Sequence, residues 1–327
     1  MPSQHVIEQP TKAAMFLTIT INQGAEEAAK DLLTGMSGLV RSVSFRSPGL
    51  GVNCVVGIGA KLWDRLYGAD TRPIHLHTFT EIRGDKHVAV ATGGDLLLHI
   101  RAERVDLCFE LATIISSKLD GIGTITDEVH GFKFFDERDL LGFVDGTENP
   151  EGASAFRAVT IADDDPAYAG GSYVLVQKYL HDMAAWNSLS IEQQEAVIGR
   201  TKLDDVELDD DVKPKNSHVA LNTLFDADGN QLQILRANMP FGTITDTQFG
   251  TFFIGYAADP RITEQMLHDM VIGDPPGNTD RILDFSVAHT GALFFVPSVD
   301  FLDDPKPVAR NGREEQPLMM VDPLEAL

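Results

Sequence analysis

Cysteine is almost missing from this chain: 327 residues contain only Cys54 and Cys108. The two lie far apart in apolar runs, which sets aside a disulfide framework and a thiolate zinc site and leaves two small buried residues. Positive charge is also short. Lys and Arg number 26 against 49 Asp and Glu, a formal net charge of −23 with histidine neutral. Such a surplus repels phosphate backbones and anionic headgroups, and no basic patch offsets it, so nucleic-acid and membrane-surface partners are not expected. No apolar run approaches the ~20 residues that cross a bilayer. Residues 1–12 are polar, without the apolar core or paired arginines of an export signal, so the expected location is cytoplasmic. What is present is an ordinary globular composition, 43% hydrophobic and 23% charged, enough for two domains or one large one.

Periodicity supplies the organisation. In the first half, 16–21 and 54–58 read as strands, with helical stretches over 25–33 and 59–66. A strand over 96–100 follows the Gly93-Gly94 turn. Val105, Cys108, Phe109, Ala112, Ile115 and Leu119 then recur at helical spacing, and 122–128 reads as a closing strand. The second half repeats the order. Residues 173–179 form a strand, and Ser190 with Gln193 makes a capping box for a helix ending near Gly199. Strands over 231–236 and 251–256 follow. Asp259-Pro260 opens a helix through Val271, and 291–296 closes the set. Each half is thus β-α-β-β-α-β, and the expected fold is α+β, two ferredoxin-like modules with antiparallel sheets. The repeat lies in element order, not in residues. The expected domains are 1–150 and 151–327. The acidic run Asp204, Asp205, Glu207, Asp209, Asp210 and Asp211 reads as a solvated loop, and the Pro-rich tail from Asp303 as a wrapping arm or loose end.

Some local patterns fail. Gly57 and Gly59 sit between a strand and a helix, but Leu62 occupies the third glycine of a dinucleotide fingerprint. His75 and His77 have no third ligand nearby in sequence and read as loop histidines.

Three segments combine unusual residues. In Gly142-Phe143-Val144-Asp145-Gly146-Thr147-Glu148-Asn149-Pro150 an aspartate follows an apolar run and precedes a glycine that permits positive φ. A surface Asp-Gly turn is the plain alternative. The apolar residues before it argue instead for a partly buried carboxyl with a tunable pKa, suited to moving protons. His218 follows the acidic loop and opens a short apolar run, either as a satisfied structural histidine or as an axial ligand to haem iron. Arg236 ends an otherwise apolar strand, where a buried guanidinium calls for an anion.

Together these segments resemble the dye-decolourising (DyP-type) haem peroxidases, most closely the bacterial cytoplasmic members. The family's GxxDG signature appears in GFVDGTENP. The resemblance continues through GSYVLVQKYLHDMAAWNSLSIEQQEAVIGRTK, the SHV histidine, LRANMPFG, GTFFIGYAADP and DRILDFSVAHTGALFFVPS, nearly the whole chain. It implies two ferredoxin-like modules with haem b, one per chain, in the C-terminal one. It implies His218 as proximal iron ligand, Asp145 as distal acid–base residue and Arg236 as distal arginine. Asn238 falls near the distal water. Asp284, in DRILDF, matches the acid that accepts the other imidazole N–H. Gly146, Thr147, Asn149 and Phe253 are implied to line the haem site. The implied activity is reduction of hydrogen peroxide and oxidation of phenolic or dye-like organic donors through a ferryl intermediate. A haem carrier or haem iron-release protein on the same fold is the alternative. A homo-oligomer is expected, and Trp63, Trp186, Tyr67, Tyr168, Tyr173, Tyr179 and Tyr256 are the aromatics available for electron relay or simple packing. The tail carries no clear encapsulin-targeting peptide.

Overall fold

Strand β1 (Ala13–Ile21) buries both of its faces, which explains its near-continuous apolar sequence AAMFLTITI. The computed structural model describes residues 3–8 and 10–310. After β1 come α1 (Glu26–Ser44), β2 (Asn53–Gly59), α2 (Ala60–Tyr67), β3 (Leu96–Ala102), α3 (Val105–Lys118) and β4 (Gly123–Phe132). The second half runs α4 (Gly152–Val159), β5 (Ser172–His181), α5 (Met183–Asn187), α6 (Ile191–Ile198) and α7 (His218–Asn222). It continues with β6 (Leu235–Arg236), β7 (Met239–Thr243), β8 (Gln248–Ala257), α8 (Pro260–Val271), β9 (Ser286–Ala288), β10 (Ala292–Val296) and α9 (Val299–Asp303).

These strands form a 10-stranded sheet in the order β6-β8-β5-β10-β2-β3-β1-β4, with β7 paired to β8 and β9 to β5. In the first half the order β4-β1-β3-β2 is that of a ferredoxin-like βαββαβ unit, and the second half repeats it with β10-β5-β8-β6. The halves join where β10 pairs antiparallel with β2, through Phe294–Gly59 and Phe295–Ile58. The expected α+β duplicated fold is present. Gly59 serves this packing: a Cβ there would meet the Gly94 carbonyl oxygen at 2.3 Å, so the glycine answers a close backbone approach, not a phosphate.

One face of the sheet packs on α1, α2, α3 and α8. Met15, Leu17, Val56, Ile58, Leu98 and Phe295 meet Leu33, Leu62, Trp63, Leu111, Ile115 and Leu267 there. The other face curls onto itself. Phe16 of β1 stacks on Phe252 of β8 at 4.1 Å, although four strands lie between them in the sheet order. Lys178 of β5 reaches Asp127 of β4 at 2.9 Å across the same closure. Each fully buried Phe or Leu contributes about 1.5–3 kcal/mol, so this closure is set by burial, with the ion pair adding little.

Several expectations shift in detail. Helix α1 runs well past residue 33. The strand expected over 231–236 is broken: Gln231–Leu232 pairs with Leu224–Phe225, while Leu235–Arg236 joins the main sheet. The acidic run is tied down more than a solvated loop would be. Arg200 holds Asp205 and Glu148 at 2.8 Å, and Lys213 holds Asp210 at 2.9 Å. The start of the tail wraps back. Arg310 donates from its backbone to the Asp70 carbonyl at 2.8 Å, from Nε to the Arg72 carbonyl at 2.8 Å, and pairs with buried Asp165. Residues 311–327, the part of the tail in which a targeting peptide would fall, lie outside the described residues. Among the described residues no helix is long and apolar enough to cross a membrane.

Candidate active site

The segment after β4 turns back on itself before α4. Asp139 and Phe143 are tied by two hydrogen bonds across it: the Asp139 N–H donates to the Phe143 carbonyl at 2.8 Å, and the Phe143 N–H donates to the side-chain Oδ1 of Asp139 at 3.0 Å. The Asp145 N–H donates to the Glu137 carbonyl at 3.0 Å. Gly146 follows with φ +82°, which lets the chain reverse, and a Cβ there would crowd Asn149 Nδ2 at 3.0 Å. Trp186, fully buried, braces the turn from behind: its indole N–H donates to the Leu141 carbonyl at 2.9 Å and its ring meets Phe143 edge-on. That is a packing role.

Asn149 clamps Arg236 to this turn. Its amide donates to the Arg236 carbonyl at 2.8 Å and accepts the Arg236 N–H at 2.8 Å, replacing the ladder partner that two-residue β6 lacks on that side. The Arg236 guanidinium touches Met266 Sδ at 3.9 Å and makes no ion pair among the described residues. Asn238 donates from Nδ2 to Asp145 Oδ1 at 3.2 Å and accepts the Ile254 N–H at 3.0 Å, so it fixes the carboxyl to the sheet.

His218 is the first residue of α7. Ser217 caps that short helix, accepting the Ala220 N–H at 3.4 Å. Imidazole Nδ1 donates to Asp280 Oδ2 at 2.7 Å, and Asp280 is fully buried. Asp280 also caps the 3₁₀ turn Arg281–Asp284, its Oδ1 accepting the Ile282 N–H at 2.9 Å. This corrects the expectation for Asp284. Asp284 stands at the far end of that turn, half exposed, and faces His87 at 3.4 Å. Both aspartates occur in the same DRILD stretch; the turn carries the second one away from His218. With Nδ1 committed to a carboxylate, the Nε2 lone pair is left for another partner.

Asp145, Arg236, Asn238, His218 and Phe253 line one cavity. Gly146 and Thr147 line an adjoining pocket that shares Asp145, His218 and Arg236 with it, beside Arg200, and the Thr147 hydroxyl is committed to Asp205 at 2.7 Å. Asn149 lines a second approach to Asp145 and Arg236, past Phe134 and Lys133. Apart from Asp284, then, the residues expected from the sequence converge on one place. His75 and His77 do not join them: each meets its own acid, Asp164 at 2.8 Å and Glu264 at 3.3 Å. Among the described residues no group of three or more His, Cys, Asp and Glu is placed to hold a bare metal ion.

Burial raises the Asp145 pKa, while the Asn238 hydrogen bond and the charges of Arg236 and His218 pull it back down. Burial lowers the Arg236 pKa and the Asp145 charge opposes that. Two cavity residues escaped the sequence reading. Asp139 is pushed up to about 7 by burial and by the nearby Asp145 charge. His181 is pushed down to about 4 by burial, and its two ring nitrogens meet Ser286 Oγ at 2.8 Å and Thr251 Oγ1 at 2.9 Å. Alternation along β5 could have flagged His181 as inward-facing. Nothing local marks Asp139, whose place depends on a turn.

A duplicated ferredoxin-like sheet carrying an acid–amide–arginine group and a carboxylate-backed histidine around one cavity defines a class of enzyme built for proton-coupled chemistry on a small ligand. The family model for the N-terminal part of Dyp-type peroxidases matches residues 3–133, and that for the C-terminal part matches 136–301. The chain therefore belongs to the Dyp-type peroxidase family. A dye-decolorizing peroxidase of Rhodococcus erythropolis is 59% identical over 302 residues, 92% of this chain and 88% of that protein. The encapsulated DyP-type peroxidase of Mycobacterium smegmatis superposes with a TM-score of 0.91 at 60% identity, covering 94% of this chain and 99% of the other. A variant of DypB from Rhodococcus jostii RHA1 in complex with heme superposes with a TM-score of 0.90 at 53% identity, over 92% and 98% of the two chains.

Proposed function

We propose that this chain is a haem peroxidase that reduces hydrogen peroxide at the expense of small organic donors, in which His218 would hold the haem iron and Asp145, Arg236 and Asn238 would form the peroxide-side group. The observation that carries the reading is the joining of Asp145, Asn238 and Arg236 on one wall of the cavity that His218 also lines. The residues fit haem. A single imidazole cannot hold a bare ion, but it suffices for an iron that brings its own four equatorial nitrogens. The cavity walls supply apolar Leu141, Phe143, Ile234, Phe253 and Ile282 for a flat macrocycle. The Arg236 guanidinium, which makes no ion pair among the described residues, suits an anionic group of the ligand.

When bound, haem supplies the redox chemistry of peroxide cleavage and donor oxidation. The chain does the rest. Asp145 takes a proton from one peroxide oxygen and returns it to the other, which leaves as water. Burial raises the Asp145 pKa, which makes it a stronger base for the first of these transfers. Asn238 holds Asp145 in place through Oδ1. Arg236 places fixed positive charge where negative charge grows on oxygen. Asp280 draws on the imidazole N–H, makes His218 a stronger donor and fixes its tautomer. A haem carrier would need His218 and the apolar walls alone; the linked peroxide-side residues favour the enzyme.

Haem-loaded protein should turn over peroxide with a phenol, and Asp145→Ala should lower that rate by about 10²–10⁴-fold while haem stays bound. Equal rates in the two proteins would remove Asp145 from the mechanism.

A further inference from the structure

Asp139 and Asp145 are two carboxyls on one cavity, joined by a single turn of chain. Asp139 Oδ1 accepts the Phe143 N–H at 3.0 Å, and the N–H groups of Gly142 and Leu141 also stabilise the charged carboxyl. The charged and titratable groups around it are few. Arg138 is occupied with the carbonyls of Gly142 (2.9 Å), Lys202 and Leu203 (3.1 Å). Lys202 donates to Gln194 Oε1 at 2.6 Å and lies over the Phe143 ring. Arg236, His181 and His218 line the same cavity with Asp145. Among the described residues no cation forms an ion pair with Asp139; the Lys202 charge and the turn's N–H groups favour its ionised form, while burial and the second carboxylate oppose it.

We propose that Asp139 is the proton reserve of this site: a positioning carboxyl that reprotonates Asp145 during turnover. The inference rests on the peroxidase reading above. Reducing one hydrogen peroxide to two waters takes two electrons and two protons. A phenol brings one proton with each electron. A donor that gives electrons alone leaves both protons to be drawn through the protein. In the transfer, the O–H bond of Asp139 breaks, an O–H bond forms on the Asp145 carboxylate, and Asp139 is refilled from solvent. Like-charge repulsion between the two groups favours one shared proton over none, the arrangement such a relay requires.

The test compares wild type, Asp139→Asn and Asp139→Glu as haem-loaded proteins. Asn keeps the acceptor for the Phe143 N–H but holds no acidic proton. With a cationic ferrocene as proton-free donor, wild-type turnover should fall as pH rises through neutrality. Asp139→Asn should lose that inflection and turn over about tenfold more slowly, with a smaller defect when a phenol is the donor. Asp139→Glu should restore both features. Independently of activity, the infrared carboxyl band of the resting protein should titrate near neutrality in wild type and lose that component in Asp139→Asn. If Asp139→Asn retains the wild-type pH profile and the titrating band, or shows only a lower melting temperature, Asp139 is structural and the proposal is wrong. A wild-type protein that binds haem but ignores peroxide would overturn the peroxidase reading instead, and the infrared titration would still decide whether Asp139 holds the proton.

Discussion

At the scale of single residues, the chemistry depends on which oxygen meets which nitrogen. Asp280 is fully buried against His218 Nδ1 at 2.7 Å, whereas Asp284 is half exposed beside His87. Replacing Asp280 by Ala should weaken haem binding by about 10–100-fold, the usual cost of losing such a backing carboxylate, and shift the absorbance of what remains. Asp284→Ala should leave the haem titration unchanged, and a reversal of the two results would restore the family-based expectation for Asp284. The types of the site residues were legible in the sequence: an acid in an apolar turn, a histidine at the head of an apolar run, an arginine at a strand end. The pairing of His218 was not. Two aspartates in one short stretch look equivalent until the 3₁₀ turn sends them in different directions.

At the scale of elements, the site is held by parts that carry no chemistry themselves. Asn149 satisfies both backbone groups of Arg236, so Asn149→Ala leaves a partly buried N–H and carbonyl without partners. Thermal melting should show a loss of about 1–3 kcal/mol, and peroxide turnover should drop with Arg236 itself untouched. An unchanged melting curve would mean that water replaces the amide without cost. Elements with self-contained signals were readable. The Ser190–Gln193 capping box closes as expected, Gly199 ends its helix in the left-handed region, and Asp259-Pro260 starts α8. Where neighbours decide, the reading failed. α1 extends through Ser44 because Met36 and Val43 bury against the sheet, and residues 231–236 divide between two sheets because their partners differ. Strand spacing cannot reveal which partner a short segment will find.

For the whole molecule, the order of strands followed from the repeated β-α-β-β-α-β pattern, but the curling that stacks Phe16 on Phe252 did not, since it joins residues far apart in the chain. The cavity on the opposite, α8-covered face is an interior in which carboxyls are costly to ionise. Asp139 keeps its proton to about 7, while in the unfolded chain an aspartate loses it near ~4. Between those values the folded state binds the extra proton, so stability falls as pH rises and the loss is complete above the folded value. Asp139→Asn should flatten that fall by up to a few kcal/mol, read as a smaller difference in urea midpoint between pH 5 and pH 8 than in wild type. An identical difference would show that Asp139 ionises freely. The central claim, that this cavity is a peroxidase site organised around His218, is tested most directly by the visible spectrum of the haem-loaded protein before and after an equimolar addition of hydrogen peroxide. The account predicts a Soret band that shifts on adding peroxide and returns when a phenol is supplied, with the band lost or displaced from the outset in His218→Ala. A haem spectrum indifferent to peroxide, or one that His218→Ala leaves unaltered, would contradict it.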